Sequence, residues 1–399
     1  MIENGGQVHW ARDANEACEI IAQICKDAGA RTVTKGKSMV SEEMHLNPVL
    51  EAAGMTVVET DLGEYIVQLA GETPSHIIAP AVHKTREQIT ELFHKHHSPL
   101  GYTDRVTQRE ALVNEARSVL RDRFVSADVG ITGANFLIAE TGGNVIVTNE
   151  GNGDLTSSLP RVHIITAGIE KVIPSLEDLS VLLRVLARSA TGQEFSAYTS
   201  LYSGPRRSGD SEGPEAYHVV LLDNGRSSML GGVYQPMLRC IRCGACLNHC
   251  PVYSAIGGHS YGWVYPGPMG SVLTPLLNGF DQSLDLPNAC TLNGRCKEVC
   301  PVRIPLSDLL LQHRIEQHSR KLTTGVGRAL LAAWAWLAQR PRLYQGVMAV
   351  PLWILHHIGR RRGTLRYLPF VSGWTDSRDF PTPPRRSFIR QWHSGRRQP

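Results

Sequence analysis

Seven of the nine cysteines lie between positions 240 and 300, and this crowding constrains the fold more than any other feature of the chain. The first group has the pattern C-x2-C-x2-C-x3-C-P and comprises Cys240, Cys243, Cys246, Cys250 and Pro251. Spacers of two residues bring three thiols together on a tight loop, and Gly244 leaves room where that loop must turn. Thiols crowded in this way favour a metal centre over disulfides in a reducing compartment.

The spacing of the first group is typical of bacterial ferredoxins, in which one motif contributes ligands to two iron–sulfur clusters. The first three cysteines hold one 4Fe–4S cluster, and the longer third spacer carries the fourth cysteine to a neighbouring cluster. One such motif therefore predicts a second. Three further cysteines with the same Cys-Pro ending follow at Cys290, Cys296, Cys300 and Pro301.

The second motif departs from the first at one ligand position. Asn293 stands where the middle cysteine is expected, and Gly294 follows it as Gly244 follows Cys243. We predict that the first 4Fe–4S cluster is held by Cys240, Cys243, Cys246 and Cys300. We predict that the second is held by Cys250, Cys290 and Cys296. This site is one thiolate short, so a 3Fe–4S cluster, a 4Fe–4S cluster completed by Asn293 or water, and a labile centre remain as alternatives.

Structural zinc is the competing interpretation of the clustered cysteines. Zinc sites usually pair two separate C-x2-C elements, whereas three short steps run into Cys-Pro here, so iron–sulfur chemistry is favoured. Cys18 and Cys25 recur at a helical spacing and are expected to be small buried residues rather than ligands. The segment Met1–Gly6 lacks the basic region and apolar stretch of a secretion signal, and we therefore expect a cytoplasmic protein.

An α/β domain is predicted ahead of the cysteines, over residues 1–230. Helical and β-type runs alternate there, which favours a mostly parallel sheet with flanking helices. The main predicted helices are 14–28, 47–53, 105–124 and 176–187, and the predicted strands are 31–34, 55–59, 75–80, 138–140, 144–149, 163–167 and 218–223. A mainly α-helical two-cluster ferredoxin domain is expected over 231–318, and a basic extension rich in Trp, Arg and Pro over 319–399.

The basic residues are concentrated at the carboxyl end of the chain. Residues 311–399 carry 16 Lys and Arg against 3 Asp and Glu, whereas the whole chain has 41 against 37. The same region contains Trp334, Trp336, Trp353 and Arg360–Arg362. Such an extension can contact an anionic membrane surface or an acidic subunit. The favoured alternative is that the tryptophans pack on the ferredoxin domain, because Pro341 and Pro351 are expected to interrupt a long helix.

Five further motifs accompany the cysteines and carry a family resemblance. They are KGKSMVSEE at 35–43, ETDLGEYI at 59–66, GITGANF at 130–136, TNEGN at 148–152 and YGWVYPGP at 261–268. From about Asn4 to about Pro381 the chain resembles lactate utilisation protein B, the family of iron–sulfur subunits of bacterial L-lactate utilisation complexes.

The resemblance implies a LUD-type domain with the fold of the glucosamine-phosphate deaminase, ribose-phosphate isomerase and CoA-transferase group, followed by a helical ferredoxin domain. It implies an electron-transfer subunit that works with partner subunits in oxidising L-lactate to pyruvate and passes electrons toward the respiratory chain. Family members usually begin with a further helical segment, which favours a short form or a misassigned start here. They also usually carry cysteine in place of Asn293.

Four residues of the α/β domain are candidates for ligand binding. Lys35 and Lys37, with Ser38 opening a predicted helix, can hold an anion on backbone amides. Glu150 lies in a glycine-containing loop that faintly resembles the glutamate loop of CoA transferases. The second hypothesis is therefore a CoA- or sugar-phosphate-processing enzyme with a regulatory cluster, and no catalytic residue is assigned. A third, nucleic-acid binding through the basic extension, is not expected.

Overall fold

The computed structural model of the chain describes residues 1–368 and 372–395. Two compact units are present, Met1–Gln317 and His318–Pro399. The strands of the described residues are β1 (Gln7–Ala11), β2 (Thr32–Lys35), β3 (Thr56–Glu59), β4 (Val129–Gly133), β5 (Phe136–Ile138), β6 (Gly143–Thr148), β7 (Val162–Gly168), β8 (Val172–Ile173), β9 (Tyr198–Tyr202), β10 (Ala216–Leu222), β11 (Thr364–Leu365) and β12 (Phe380–Pro381). The larger unit contains both the α/β region and all the cysteines, and the domain boundary after residue 230 stays a prediction.

Six parallel strands form the central sheet of the larger unit, in the order β1-β10-β7-β4-β2-β3. Every residue of β7 is buried, as expected for a parallel sheet that is covered on both faces. The chain passes from β2 outward to β3 and then crosses to β4 on the other side of β2. The carboxyl ends of β2 and β4 therefore meet at a topological switch point, where open α/β sheets commonly bind ligands.

Short polar caps fix where the main helices of the larger unit begin. Asp13 accepts a hydrogen bond from the N–H of Glu16 at the first helix, and Ser175 accepts one from the N–H of Asp178 at the eighth. The helices that begin in this unit are α1 (Ala14–Asp27), α2 (Met39–Glu43), α3 (Leu46–Ala52), α4 (Leu62–Ala70), α5 (Arg86–His97), α6 (Arg109–Val125), α7 (Asn152–Ser158), α8 (Leu176–Thr191), α9 (Ala245–Asn248), α10 (Pro251–Ile256), α11 (Gly267–Leu277), α12 (Asp285–Asn288), α13 (Arg295–Glu298) and α14 (Leu306–Ser319).

Most of the predicted elements are confirmed by these bounds. The four predicted helices correspond to α1, α3, α6 and α8, and five of the seven predicted strands correspond to β2, β3, β6, β7 and β10. The run at 138–140 overlaps a strand only at Ile138, because the chain turns there into a hairpin. β5 and β6 pair antiparallel across that turn, and Gly142 adopts the positive φ of 66° that the turn needs. Cys18 and Cys25 are buried in α1, as expected.

Residues 75–80 form a loop, so the strand predicted there is wrong. The Nδ1 atom of His76 accepts hydrogen bonds from the N–H groups of Ile78 (3.0 Å) and Ala79 (3.1 Å), which replaces strand pairing with local bonds. The loop packs closely on the cysteine region, since a Cβ atom at Gly244 would lie 3.2 Å from Cγ1 of Ile78. The apolar character of this segment therefore reflects burial against the cysteine loop and not membership of a sheet.

The smaller unit is built on two helices, α15 (Gly325–Ala338) and α16 (Pro341–Gly359). Two short helices, α17 (Ser372–Thr375) and α18 (Phe388–His393), follow, and β11 pairs antiparallel with β12. The expectation that Pro351 interrupts a helix is wrong, because α16 continues through it. A proline removes one helical hydrogen bond, and the apolar turns on either side maintain the helix. Parts of the predicted basic extension, 369–371 and 396–399, lie outside the described residues.

The tryptophans of the smaller unit are exposed at the surface of that unit, and the expectation that they pack on the ferredoxin domain stays a prediction. Trp334, Trp336 and Trp353 are 58%, 54% and 51% exposed. They lie on α15 and α16, which carry further exposed apolar residues such as Leu330 and Ile358. Among residues 1–368 and 372–395, no helix is both long and apolar enough to cross a bilayer.

Candidate functional site

The two cysteine loops have the same backbone conformation. In the first, Arg242 and Gly244 have positive φ angles of 60° and 76°, and α9 begins directly after the glycine. In the second, Leu292 and Gly294 have φ angles of 55° and 79°, and α13 begins in the same place. A non-glycine residue rarely adopts such an angle, so its recurrence at equivalent positions indicates two loops shaped for the same task.

The thiols predicted for the first cluster lie together. One small cavity is lined by Cys240, Cys243, Cys246 and Cys300. Burial, and then the neighbouring thiols of Cys240 and Cys300, raise the pKa of Cys243 to about 11. Burial also raises the pKa of Cys246 well above its ordinary value. Such a group ionises readily only beside added positive charge, which a bound metal centre supplies, so the residues fit an iron–sulfur cluster.

The remaining three cysteines form a second group. Burial and the neighbouring Cys290 and Cys250 raise the pKa of Cys296 to about 11. The Sγ atom of Cys250 accepts a hydrogen bond from the N–H of Tyr253 (3.5 Å), and that of Cys290 from the N–H of Leu292 (3.3 Å). Backbone amides therefore face sulfur here, as is usual around iron–sulfur clusters. No disulfide joins any of the nine cysteines, all of which lie in the described part of the chain.

Asn293 occupies the place in the second loop that Cys243 occupies in the first. Its Oδ1 atom accepts a hydrogen bond from the N–H of Arg295 (3.1 Å), and Cys243 accepts one from the N–H of Ala245. Asn293 is exposed, whereas Cys243 is buried. The amide oxygen of Asn293 thus accepts the hydrogen bond that the sulfur of Cys243 accepts in the first loop. The second group nevertheless contains three thiols, whereas the first contains four.

A separate cavity of about 380 Å³ opens at the switch point of the parallel sheet. The segment after β2, at 36–40, and the end of β4 with the residues after it, at 132–135, form one wall, and residues 146–150 with 152–153 form another. Arg242 from the first cysteine loop and Tyr265 also line the cavity. The cavity therefore lies between the α/β region and the loop that carries the first group of thiols.

Three of the four predicted ligand-binding residues line this cavity, namely Lys37, Ser38 and Glu150. The Nζ atom of Lys37 donates to the carbonyl oxygen of Ile78 (2.9 Å) and lies 3.5 Å from a carboxylate oxygen of Asp61. Ser38 caps α2 by accepting from the N–H of Ser41. Partial desolvation, and then the neighbouring Asp61, raise the pKa of Glu150.

Lys35 is absent from the lining of that cavity. Its Nζ atom lies 2.6 Å from Glu42 and 2.8 Å from Glu59, and the side chain is 1% exposed. A lysine with two carboxylates in the core is held there as their counter-ion. Of the two lysines in the sequence KGK, Lys35 is therefore a buried structural residue and Lys37 is a cavity residue.

Sequence analysis missed two cavity residues, Lys171 and Arg242. Lys171 ends the short turn Ile169–Lys171 that follows β7, and its side chain is almost completely buried at the cavity wall. Burial, and then the charge of Arg242, lower the pKa of Lys171 to about 8. The sequence feature that could have identified Lys171 is its position after the carboxyl end of a buried strand, which is where polar site residues of α/β proteins lie.

A buried network of charges joins the cysteine loop to the α/β region. Arg226 donates two hydrogen bonds to Glu43 (2.8 and 2.7 Å) and one to Glu170 (2.7 Å). Arg242 donates to the other oxygen of Glu170 (3.3 Å), and the hydroxyl of Tyr265 donates to Glu43 (2.7 Å). These side chains fix the first cysteine loop against α2 and the segment after β7.

Comparison with known proteins matches both parts of the larger unit. A LUD domain model matches residues 1–222, and a 4Fe-4S dicluster domain model matches residues 236–304. Lactate utilization protein B of Geobacillus thermodenitrificans (strain NG80-2) is 46% identical over 401 residues, covering 100% of this chain and 83% of that protein. The chain belongs to the lactate utilization protein B family.

Two further relatives are similar to the chain over nearly its whole length. Lactate utilization protein B of Lysinibacillus sphaericus (strain C3-41) is 45% identical, with 98% of this chain and 82% of that protein covered. The uncharacterized electron transport protein YkgF of Escherichia coli (strain K12) is 44% identical, with the same shares covered. A solved structure of a duf162 family protein from Deinococcus radiodurans covers 53% of this chain and 99% of its own, with 13% identity and a TM-score of 0.21.

The dicluster domain spans all seven clustered cysteines and supports iron–sulfur clusters over structural zinc. It leaves the type of the second cluster unspecified. The resemblance to lactate utilisation protein B that the sequence motifs indicated is confirmed by the family models and the relatives.

Proposed function

We propose that the chain is an electron-transfer subunit in lactate utilisation, passing electrons through two iron–sulfur clusters toward the respiratory chain. The single observation that carries this proposal is the pair of loops with matching backbone, each bringing thiols together inside a dicluster domain. The names of its relatives, lactate utilization protein B and an electron transport protein, support the pathway and the role. The proposed partners are the other subunits of a lactate-oxidising complex.

In this proposal the first cluster is held by Cys240, Cys243, Cys246 and Cys300, and the second by Cys250, Cys290 and Cys296. A bound cluster of this kind accepts and releases single electrons. The protein contributes burial of the thiols, N–H groups directed at sulfur, and the charge of Arg242 beside Cys240. Positive charge and N–H donors near the sulfurs stabilise the reduced form and so raise the potential.

Asn293→Cys is expected to complete the second site. The loop already has the backbone conformation of the first loop, so a thiol at this position takes the place that Cys243 occupies there. We expect iron analysis and EPR of anaerobically prepared protein to give one 4Fe–4S cluster plus a three-iron signal for the original chain. The variant should give two 4Fe–4S clusters, which raises the iron content by about one atom per chain.

A matched control for this experiment is Asn288→Cys, which adds a thiol outside the loop. It should leave both the iron content and the EPR spectrum unchanged. If Asn293→Cys leaves the iron content and the three-iron signal unaltered, the placement of position 293 at the missing ligand of the second site is wrong.

The smaller unit gives the chain a surface for a peripheral membrane contact, as part of this proposal. Residues 321–375 contain eight Lys and Arg and no Asp or Glu. Along α15 and α16 the exposed tryptophans stand among other exposed apolar residues such as Leu330 and Ile358. Helices that combine tryptophan, aliphatic residues and arginine in this way are typical of the interface of anionic bilayers. We therefore assign this surface to anionic lipid at the cytoplasmic side of a membrane.

Sedimentation with lipid vesicles tests the membrane contact. We expect the full-length protein to bind vesicles that contain phosphatidylglycerol and to remain in solution with phosphatidylcholine alone. The triple variant Arg360→Gln, Arg361→Gln and Arg362→Gln should bind roughly 100-fold more weakly, since each basic residue near the surface contributes about 1 kcal/mol. Trp10→Ser, which removes an exposed tryptophan of the larger unit, is the control. Equal binding to both vesicle types would overturn the assignment to anionic lipid, and binding to neither would overturn the membrane contact in favour of an acidic protein partner.

The second candidate function is a CoA- or sugar-phosphate-processing activity. It goes with the proposed resemblance of the α/β region to the fold of the glucosamine-phosphate deaminase and CoA-transferase group. The observation that favours it is that Lys37, Ser38 and Glu150 share one cavity. It requires that Glu150→Gln abolish turnover of an acyl-CoA or sugar phosphate while the iron content is unchanged. Because Lys35 is a buried counter-ion, it has no part in this alternative.

A further inference from the structure

Glu72, His83 and His259 form a cluster of metal-binding side chains at the surface of the larger unit. One ligand atom of each residue lies within 4.8 Å of those of the other two. Nε2 of His83 is 2.8 Å from Oε2 of Glu72, and the ring centroids of His83 and His259 are 4.5 Å apart. Ligands that bind one tetrahedral zinc ion at about 2.0–2.1 Å lie about 3.4 Å from one another. Small rotations of these side chains are therefore enough to bring all three onto one ion.

The three residues come from two segments that are far apart in the sequence. Glu72 follows α4, and His83 precedes α5, whose first turn is fixed by the capping box of Thr85. His259 lies in the turn 259–261, which follows α10. The cluster therefore joins the α/β region to the segment that follows the first cysteine loop.

Backbone packing holds these two segments together without an ion. A Cβ atom at Gly258 would lie 1.7 Å from the carbonyl oxygen of Ser75, so the two backbones are in direct contact. The hydroxyl of Tyr253 donates to the same carbonyl oxygen (3.0 Å). The cluster is thus preorganised, since the position of His259 relative to the loop 72–83 does not depend on a metal.

Hydrogen bonds also orient both imidazole rings. Nδ1 of His83 lies 2.6 Å from Oγ of Ser75, and Nε2 of His259 donates to the carbonyl oxygen of Thr73 (2.8 Å). Histidines that bind metal ions are usually held by hydrogen bonds of this kind to fixed neighbours. Both rings therefore have the support that a metal site requires.

An ordinary ion pair is the competing interpretation of Glu72. Its Oε1 atom is paired with Lys84, and its Oε2 atom faces His83. Hydrogen bonds from Lys84, and then from His83, lower the pKa of Glu72, so its carboxylate is ionised at neutral pH. Such a pair needs no second imidazole, whereas a metal ion uses all three side chains.

The donor set selects the class of metal. Imidazole nitrogens suit zinc and related transition metals, whereas Mg²⁺ and Ca²⁺ prefer oxygen ligands. Two histidines and one glutamate form a set that zinc uses with its fourth position left to water. Lys84 does not prevent binding, because a zinc ion with Glu72 and Lys84 has the same net charge as a zinc ion held by three neutral histidines, which is a known kind of site.

We propose that Glu72, His83 and His259 bind one Zn²⁺ ion, which links the α/β region to the segment after α10. The inference goes beyond electron transfer and does not depend on it. α10 begins directly after Cys250, one of the cysteines assigned to the second cluster. The ion therefore stabilises the contact between the loop 72–83 and the segment that leads away from this cysteine.

X-ray absorption at the zinc edge identifies the ligands of the ion. The probe is one equivalent of Zn²⁺, added under anaerobic conditions to the full-length protein with its clusters assembled. We expect nitrogen and oxygen neighbours at about 2.0–2.1 Å and no sulfur at about 2.3 Å. Sulfur neighbours would show that zinc occupies the cysteines and would overturn the inference.

Calorimetric titration of the same material with Zn²⁺ measures the affinity. We expect one saturable site for Zn²⁺ and no comparable binding of Mg²⁺. Loss of a hydrogen-bond partner of a metal ligand typically costs about 10- to 100-fold in affinity, so loss of the ligand in His259→Ala should cost at least about 100-fold. Glu72→Gln should also weaken binding. The control is His318→Ala, which removes an exposed histidine near the end of α14 and should leave the affinity unchanged.

Stability and iron content complete the test. Zinc should raise the urea midpoint of the original chain and leave that of His259→Ala unchanged, because a ligand that binds only the folded protein stabilises it. The iron content should stay constant throughout the titration. The inference is overturned by an unchanged affinity in His259→Ala, by equal binding of Mg²⁺, or by release of iron when zinc is added.

Discussion

Cys246→Ala is expected to remove the first cluster and to lower the iron content from about seven or eight atoms per chain to about three or four. Cys246 is buried among the thiols of the first group, and alanine offers no atom that can bind iron. Alanine is preferred to serine because a serine oxygen can itself act as a ligand. Iron and sulfide analysis, with EPR of the reduced protein, measures the loss.

The control for this variant is Cys18→Ala. Cys18 is buried in α1, and burial raises the pKa of its thiol to about 11, so it should contribute no ligand. Cys18→Ala is expected to retain the full iron content. In Cys246→Ala, a surviving EPR signal of the second cluster would show that the fold persists, because Cys250 belongs to the same loop. An unchanged iron content in Cys246→Ala would contradict the ligand assignment.

Arg226→Met is expected to lower the free energy of unfolding of the larger unit by about 3–5 kcal/mol. Arg226 is almost completely buried and pairs with the buried carboxylates of Glu43 and Glu170. Methionine preserves much of the volume of the side chain but leaves both carboxylates without their main counter-ion. Urea unfolding under anaerobic conditions, followed by tryptophan fluorescence, measures the change.

Arg206→Met is the matched control, since Arg206 forms an exposed pair with Glu215. It should cost no more than about 1 kcal/mol, as exposed pairs usually do. The double variant Arg226→Met with Glu43→Gln should recover part of the loss, because glutamine has no charge to leave buried. If Arg226→Met costs no more than Arg206→Met, the network does not hold the cysteine loop to the α/β region.

The cysteine loops were accessible to sequence analysis because their conformation is local. Two-residue spacers and the glycines at 244 and 294 define the turn almost without outside contacts, and the structure gives both loops the same positive φ angles. The parallel sheet could be predicted for a similar reason, since buried strands such as β7 are short and mostly apolar runs. The loop at 75–80 could not be predicted in this way, because its apolar residues pack on Gly244, which lies far away in the sequence.

Only some residues of the candidate cavity could be predicted from the sequence. Lys37 and Ser38 follow β2 and were recognised, but Lys35 was included with them because two lysines one residue apart look alike in a sequence. Residues two apart on a strand share one face, but β2 ends at Lys35, so Lys37 lies in the segment that follows and is not held to that face. Lys35 contacts Glu42 and Glu59, whereas Lys37 lines the cavity. Lys171 and Arg242 were missed because each becomes a cavity residue only when segments that are distant in the sequence come together to form the wall.

The sequence by itself determined the chemistry of this protein, since cysteine spacing over a few residues specifies an iron–sulfur loop through local backbone geometry. It also determined the layered α/β architecture, through the alternation of apolar runs. Only the tertiary structure decided which charges are counter-ions and which face a cavity, and that the cavity adjoins the first cysteine loop. The physical reason is that burial and charge pairing depend on residues brought together from distant positions, whereas turns and strands depend mainly on their neighbours.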